Sequence, residues 1–158
     1  MSRAFTTRYG KRADLLQAQV GVCLPEDTQK DQVQIHQYIG IWDTGATNSA
    51  ITKDVIERLG LKPIRLAKIY HAGGKALVNV YLINLILEDD VMIMDVEVTE
   101  AELINDHIPD HEQFHVLIGM DIIGTGDMAI TNFHQKTTLT FRTPSVGELD
   151  FTVKRKNS

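Results

Sequence analysis

Apolar residues recur at every second position along much of this chain, and turn residues break the runs. Leu16, Ala18, Val20, Val22 and Leu24 alternate with mostly polar neighbours up to Pro25, the period of a half-buried strand. After a polar turn at Glu26 to Gln32, the apolar positions Val33, Ile35, Ile39 and Ile41 predict a strand from Val33 to Trp42. The period then changes to that of a helix: Thr52 as N-cap, Val55, Ile56 and Leu59 as a stripe, Gly60 as C-cap and Pro63 beyond it. Between Ile64 and Leu87, two strand-like runs flank Tyr70-His71-Ala72-Gly73-Gly74-Lys75, whose Gly-Gly pair signals a hairpin with a mobile tip. Glu88-Asp89-Asp90 predicts a turn, Val91 to Val98 a strand, and Thr99 with Glu102 the capping box of a short helix. Phe114 to Ile118 predicts a buried strand ended by Gly119, with Asp121 opening one helical turn. Strands over Met128–Phe133 and Thr137–Arg142, a turn at His134 to Lys136 and a final strand from Glu148 to Val153 complete a mostly β chain with one or two short helices.

At 158 residues and 43% hydrophobic, the sequence suits one globular domain. We expect it over residues 15–153, after a flexible, solvated arm at 1–14 carrying Arg3, Arg8, Lys11 and Arg12, and before a basic tail at 154–158. A net charge of -5, with basic clusters at the two ends and not on one face, argues against a nucleic-acid partner. Neither a bilayer-spanning run nor a secretory leader stands out, and the single Cys23 can make no internal disulfide. The expectation is a cytoplasmic protein without a membrane partner.

Candidate chemistry concentrates in Ile41-Trp42-Asp43-Thr44-Gly45-Ala46-Thr47. An Asp closing an inward-facing strand needs donors close by to remain ionised. Gly45 allows later amides to fold back on the carboxylate, and the Thr44 hydroxyl is a further donor. Taken alone, the tripeptide is equally a plain strand-ending turn. A competing motif, His111-Glu112-Gln113-Phe114-His115, would hold zinc if it lay on a helix. Pro109 stands close before it, however, a strand pattern follows at once, and Ile118 and Asp121 occupy the extended motif's Gly and His positions. His107, His111 and His115 therefore read as solvated loop residues, and neither metal nor other cofactor is expected. Lys75 followed by Ala76 excludes a phosphate loop at the glycine pair.

Two apolar strands ending at Asp43-Thr44-Gly45-Ala46 and at Ile118-Gly119, with a glycine hairpin between them, resemble the retropepsin-like aspartic proteases. Val116-Leu117-Ile118-Gly119-Met120-Asp121-Ile122-Ile123 is similar to their cellular and bacterial branch. The resemblance covers roughly residues 15 to 142. It implies a closed, barrel-like β fold in a symmetric homodimer, with Asp43 catalytic and Thr44, Gly45 and Ala46 completing its loop. It implies further that His71, Ala72, Gly73 and Gly74 tip a flap over a peptide substrate, and that Ile118 and Gly119 support the loop from behind. Because one chain holds one Asp-Thr-Gly and the reaction needs two carboxylates across a water, the site would form between two copies.

Two departures qualify the resemblance. The Asp and Arg that brace the retroviral dimer are replaced by Thr47 or Asn48 and by Met120, leaving Asp121 and the terminal strands as alternative braces. Trp42 before the Asp would narrow the loop's surroundings and so bear on substrate preference. Besides an aspartic endopeptidase, the residues allow a non-catalytic dimerisation or peptide-binding module of the same fold, and, less well, a zinc peptidase.

Overall fold

The computed structural model describes residues 3–29, 32–71, 73–103 and 105–152. Ala72 and the 154–158 tail fall outside these. Among these residues, ten strands and two short helices follow one another as β1 (Arg3–Arg8), β2 (Gln17–Cys23), β3 (His36–Trp42), β4 (Ala50–Ile51), α1 (Lys53–Leu59), β5 (Arg65–His71), β6 (Gly74–Ile86), β7 (Met92–Glu100), β8 (Phe114–Ile118), α2 (Met120–Ile123), β9 (Asp127–Thr131) and β10 (Thr138–Thr143). The larger sheet runs β2-β3-β8-β4-β7-β6-β5, and an added β2–β6 pairing closes its first six strands into a barrel. Closure removes the exposed edges that six open strands would present. β5 stays outside as one arm of a hairpin.

The alternation in β2 places Ala18, Val20 and Val22 in the core, facing Trp42, Ile83, Leu85, Val116 and Ile118. β6 behaves differently along its length. Its second half, from Val80 to Ile86, is flanked by β7 and β2, with Val80, Tyr81, Ile83, Leu85 and Ile86 all buried, so that stretch reads as an apolar run broken only by the buried Asn84. Its first half pairs only with β5 and stands away from the core, with Leu77 64% exposed. α1 ends as its sequence predicts: Gly60 adopts φ 63° and its amide bonds the Glu57 and Ile56 carbonyls. Thr52 makes no side-chain cap, because its hydroxyl pairs instead with His115 Nδ1 at 2.8 Å.

Several expectations need correction. Residues 3–8 are not a solvated arm but strand β1, antiparallel to β10 in a separate sheet ordered β1-β10-β9. The cause is Phe5, buried against the rings of Trp42 and Phe141 at centroid distances of 6.3 and 5.9 Å. One buried aromatic among Arg and Thr gives no visible period. β3 begins at His36, leaving Val33 and Ile35 exposed. Thr99 does not open a helix among the described residues; β7 continues to Glu100, and the Thr99 and Ala101 amides bond the Ser49 and Ile51 carbonyls in place of a cap. Residues 148–152 form no strand, with Leu149 and Phe151 exposed, and Val153 lies outside the described residues. Among the described residues no helix is long and apolar enough to cross a membrane.

Candidate active site

The Asp43 loop joins β3 to β4, yet these strands are not neighbours. β8 lies between them, parallel to β3 and antiparallel to β4. The loop must therefore pass over the end of β8, which brings Ile118-Gly119 beneath Asp43-Thr44-Gly45. The Asp43 amide donates to the Ile118 carbonyl at 2.9 Å, extending the β3–β8 ladder by one rung. The Ala46 amide closes the turn on the Asp43 carbonyl at 3.3 Å, and the Gly45 amide donates to Asp43 Oδ1 at 2.8 Å. A Cβ on Gly45 would lie 3.1 Å from that same oxygen, so a side chain there would push the carboxylate away. Oδ2 has no hydrogen-bond partner among the described residues, and Asp43 is half-buried rather than enclosed as its strand context suggests. Nor does the Thr44 hydroxyl bond to it; Thr44 is exposed.

Gly119 is required by crowding. A Cβ there would approach the Asn48 carbonyl carbon to 2.7 Å, its oxygen to 2.8 Å and the Ala46 oxygen to 3.0 Å. Beyond it, the Met120 and Asp121 amides donate to the Ala46 and Thr47 carbonyls at 2.8 and 3.1 Å, fastening the far limb of the loop to the start of α2. Ser49, only 1% exposed, ties the limbs together. Its hydroxyl accepts from the Gly119 amide at 3.0 Å and donates to Asp121 Oδ1 at 2.7 Å, while its amide donates to Asp121 Oδ2 at 2.8 Å. The Ile122 amide adds a third bond to that carboxylate at 2.9 Å. Both oxygens of Asp121 are thus engaged inside its own chain, where it clamps the loop. Ser49 was missed at the level of sequence; a polar residue opening the apolar pair Ala50-Ile51 is the signal that could have shown it.

Trp42 also needs correction. It is 4% exposed and packs between Phe5 and Phe141, under the loop and away from the cleft. The hairpin β5–β6 pairs in register from Arg65↔Val80 to His71↔Gly74, with Gly73 in the turn and Gly74 at φ 121°, a conformation that side chains with a Cβ rarely adopt. Lys68, Ile69 and Tyr70 of this hairpin face Gly45, Ala46, Thr47 and Asn48 across a cleft of about 380 Å³ that Thr99 completes. Hairpin and loop therefore share one opening.

The His-Glu-x-x-His segment does not form the helix that zinc binding requires. Asp110–Glu112 is a single 3₁₀ turn and His115 sits within β8. His111 is exposed, whereas His115 is held by Thr52, and the described residues contain no group of three or more His, Cys, Asp or Glu side chains placed to share an ion. Cys23 is buried in β2, where burial first and the Asp27 charge second push its thiol pKa up, away from the reactive thiolate.

Comparison with known proteins agrees with this geometry. The family model for aspartyl proteases matches residues 36–122, more than half of the chain, and the protein belongs to that family, with a retropepsin-like fold. The solved structure of a retropepsin-like aspartic protease from Rickettsia conorii aligns over 90% of this chain and 96% of its own, with TM-score 0.50 and 11% identity, a likeness of fold. The retroviral protease-like domain of Ddi1 from Leishmania major aligns over 86% and 98%, with TM-score 0.46 and 17% identity. Simian foamy virus (mac) protease aligns over 68% and 91%, with TM-score 0.43 and 15% identity. A search of curated proteins finds no match.

Proposed function

We propose that the protein is an endopeptidase whose active site forms between two copies, each contributing Asp43. The observation that carries this reading is the state of that carboxylate. One oxygen is oriented by the Gly45 amide, the other has no partner among the described residues, and the loop beneath is clamped by Gly119, Ser49 and Asp121. A strand-ending turn with no chemistry to perform would have no use for so fixed a scaffold around an open carboxylate.

Two carboxylates about 3 Å apart resist ionising together and so share a proton. The ionised Asp43 takes a proton from a water molecule as its oxygen attacks the scissile carbonyl carbon, and the protonated Asp43 of the other copy donates to the carbonyl oxygen. The tetrahedral intermediate collapses as the first carboxyl returns its proton to the leaving amine. Substrate lies extended in the cleft beneath the β5–β6 hairpin, which acts as the flap through His71, Ala72, Gly73 and Gly74, and the peptide adds a strand to it. A reducing, cytoplasmic setting suits a chain whose single cysteine is buried and unpaired.

The test is Asp43→Asn. Asn keeps the volume and an oxygen for the Gly45 amide but cannot serve as base. Hydrolysis of a mixed peptide library should disappear while sedimentation still reports a folded dimer. A fully active variant would remove Asp43 from the chemistry. A silent wild type that still binds peptides would instead favour the binding-module reading.

A further inference from the structure

The hairpin over the cleft has a one-sided charge. From Leu61 to Leu87 the chain holds no Asp or Glu, but it carries Lys62, Arg65, Lys68 and Lys75, in a protein whose net charge is -5. These cations differ in what they meet. Arg65 is paired with Glu97 across the sheet, through Nε at 3.1 Å and through its terminal nitrogen. Lys75 Nζ lies over the Tyr70 ring at 5.2 Å. Lys62 lies before β5 and lines a different depression, with Leu24, Pro25 and Glu26. Lys68 alone among the four lines the cleft beside the Asp43 loop. Its cross-strand neighbour is Leu77, and it has no ion-pair partner among the described residues. The backbone and small side chains that complete the cleft offer it no negative charge either: Gly45, Ala46, Thr47, Asn48, Ile69 and Thr99 are all uncharged.

We propose that Lys68 is a specificity-determining residue, its ammonium selecting peptides that carry an Asp or Glu side chain a few residues to one side of the cleaved bond. This rests on the proposed peptidase site. The acidic residue is displaced from the cleaved bond itself, because there it would meet the Asp43 carboxylates and be repelled. Lys68 stands three residues before His71, whose pairing with Gly74 is the last of the hairpin, about 10 Å back along the strand at the usual rise per residue, which matches such a displacement. An exposed ion pair of this kind gives a preference of about threefold to fivefold, weakened by salt.

The experiment digests one mixed peptide library with the wild type, Lys68→Gln, Lys68→Glu and Lys62→Glu, and reads residue frequencies around the cut sites by mass spectrometry. In parallel, the peptides retained by Asp43→Asn and by Asp43→Asn/Lys68→Glu are sequenced. The wild type should show acidic residues enriched about threefold to fivefold within four residues of the cut. Lys68→Gln should lose the enrichment, Lys68→Glu should turn it toward Lys and Arg, and Lys62→Glu should keep the wild-type profile. Matching profiles for the wild type and Lys68→Glu would overturn the proposal. So would an equal change in Lys62→Glu, since that would mean a diffuse field rather than a contact. If the wild type cuts nothing, the peptidase reading fails by itself. Retention of acidic peptides by Asp43→Asn that is lost in the double variant then still supports the Lys68 assignment, and its absence overturns it.

Discussion

Ser49→Ala should loosen the Asp43 loop more than any other conservative change. The substitution removes one oxygen and little volume at a residue 1% exposed; the Gly119 amide is buried with it, whereas the Asp121 carboxylate is exposed and open to water. Two bonds go with it: the Gly119 amide loses its acceptor, and Asp121 Oδ1 loses its hydroxyl donor while keeping the Ile122 amide. A buried amide left unpaired costs about 1–3 kcal/mol, and a hydrogen bond to a charged group contributes about 1.5–3 kcal/mol. Allowing for relaxation, we expect a loss of about 3 kcal/mol, a large share of the roughly 5–15 kcal/mol that holds a domain folded. In urea denaturation at fixed protein concentration, with a slope of about 2 kcal/mol/M, the midpoint should fall by about 1.5 M without a change of slope. Hydrolysis of a peptide substrate should fall at least about tenfold, because the carboxylate is no longer held in place. Asp121→Asn should share most of this loss, so the double variant should be less destabilised than the sum by about 1 kcal/mol or more. A midpoint shift under about 0.3 M, or strict additivity, would refute the clamp.

Gly74→Val, at φ 121°, should strain the hairpin tip and lower peptide turnover with little change in the unfolding midpoint; unchanged kinetics would show that the hairpin is no lid. The pH dependence of stability has a marker outside the site. At Asp127, hydrogen bonds from the Ser145 hydroxyl, the Val146 amide and Arg142 hold the carboxyl pKa well below its ordinary value. A depressed folded pKa stabilises above the unfolded value near 4 and loses that contribution as pH falls through the folded one. Asp127→Asn should therefore unfold at lower temperature than the wild type at pH 7, and the gap should close progressively below about pH 4. A gap that persists or widens in acid would contradict this linkage.

Much of this protein is local enough to be written in its sequence. The alternation in β2, the Gly60 stop of α1, the glycine-tipped hairpin and the turn that folds the Gly45 amide onto Asp43 each depend on residues within a few positions of one another. Tertiary structure decided what depends on distant partners. β1 exists because Phe5 finds Trp42 and Phe141, far along the chain, and a single buried ring leaves no periodic trace. Trp42 turns inward for the same reason, so its apparent place beside the site was misleading. Asp121 became a clamp only when β8 was inserted between β3 and β4, setting it 2.7 Å from a serine 72 residues earlier. The half-exposed state of Asp43 likewise follows from the loop crossing above Gly119, which lifts the carboxylate out of the core that its strand enters. Short-range spacing determines which turns and periods form; only the closed sheet determines which side chains meet.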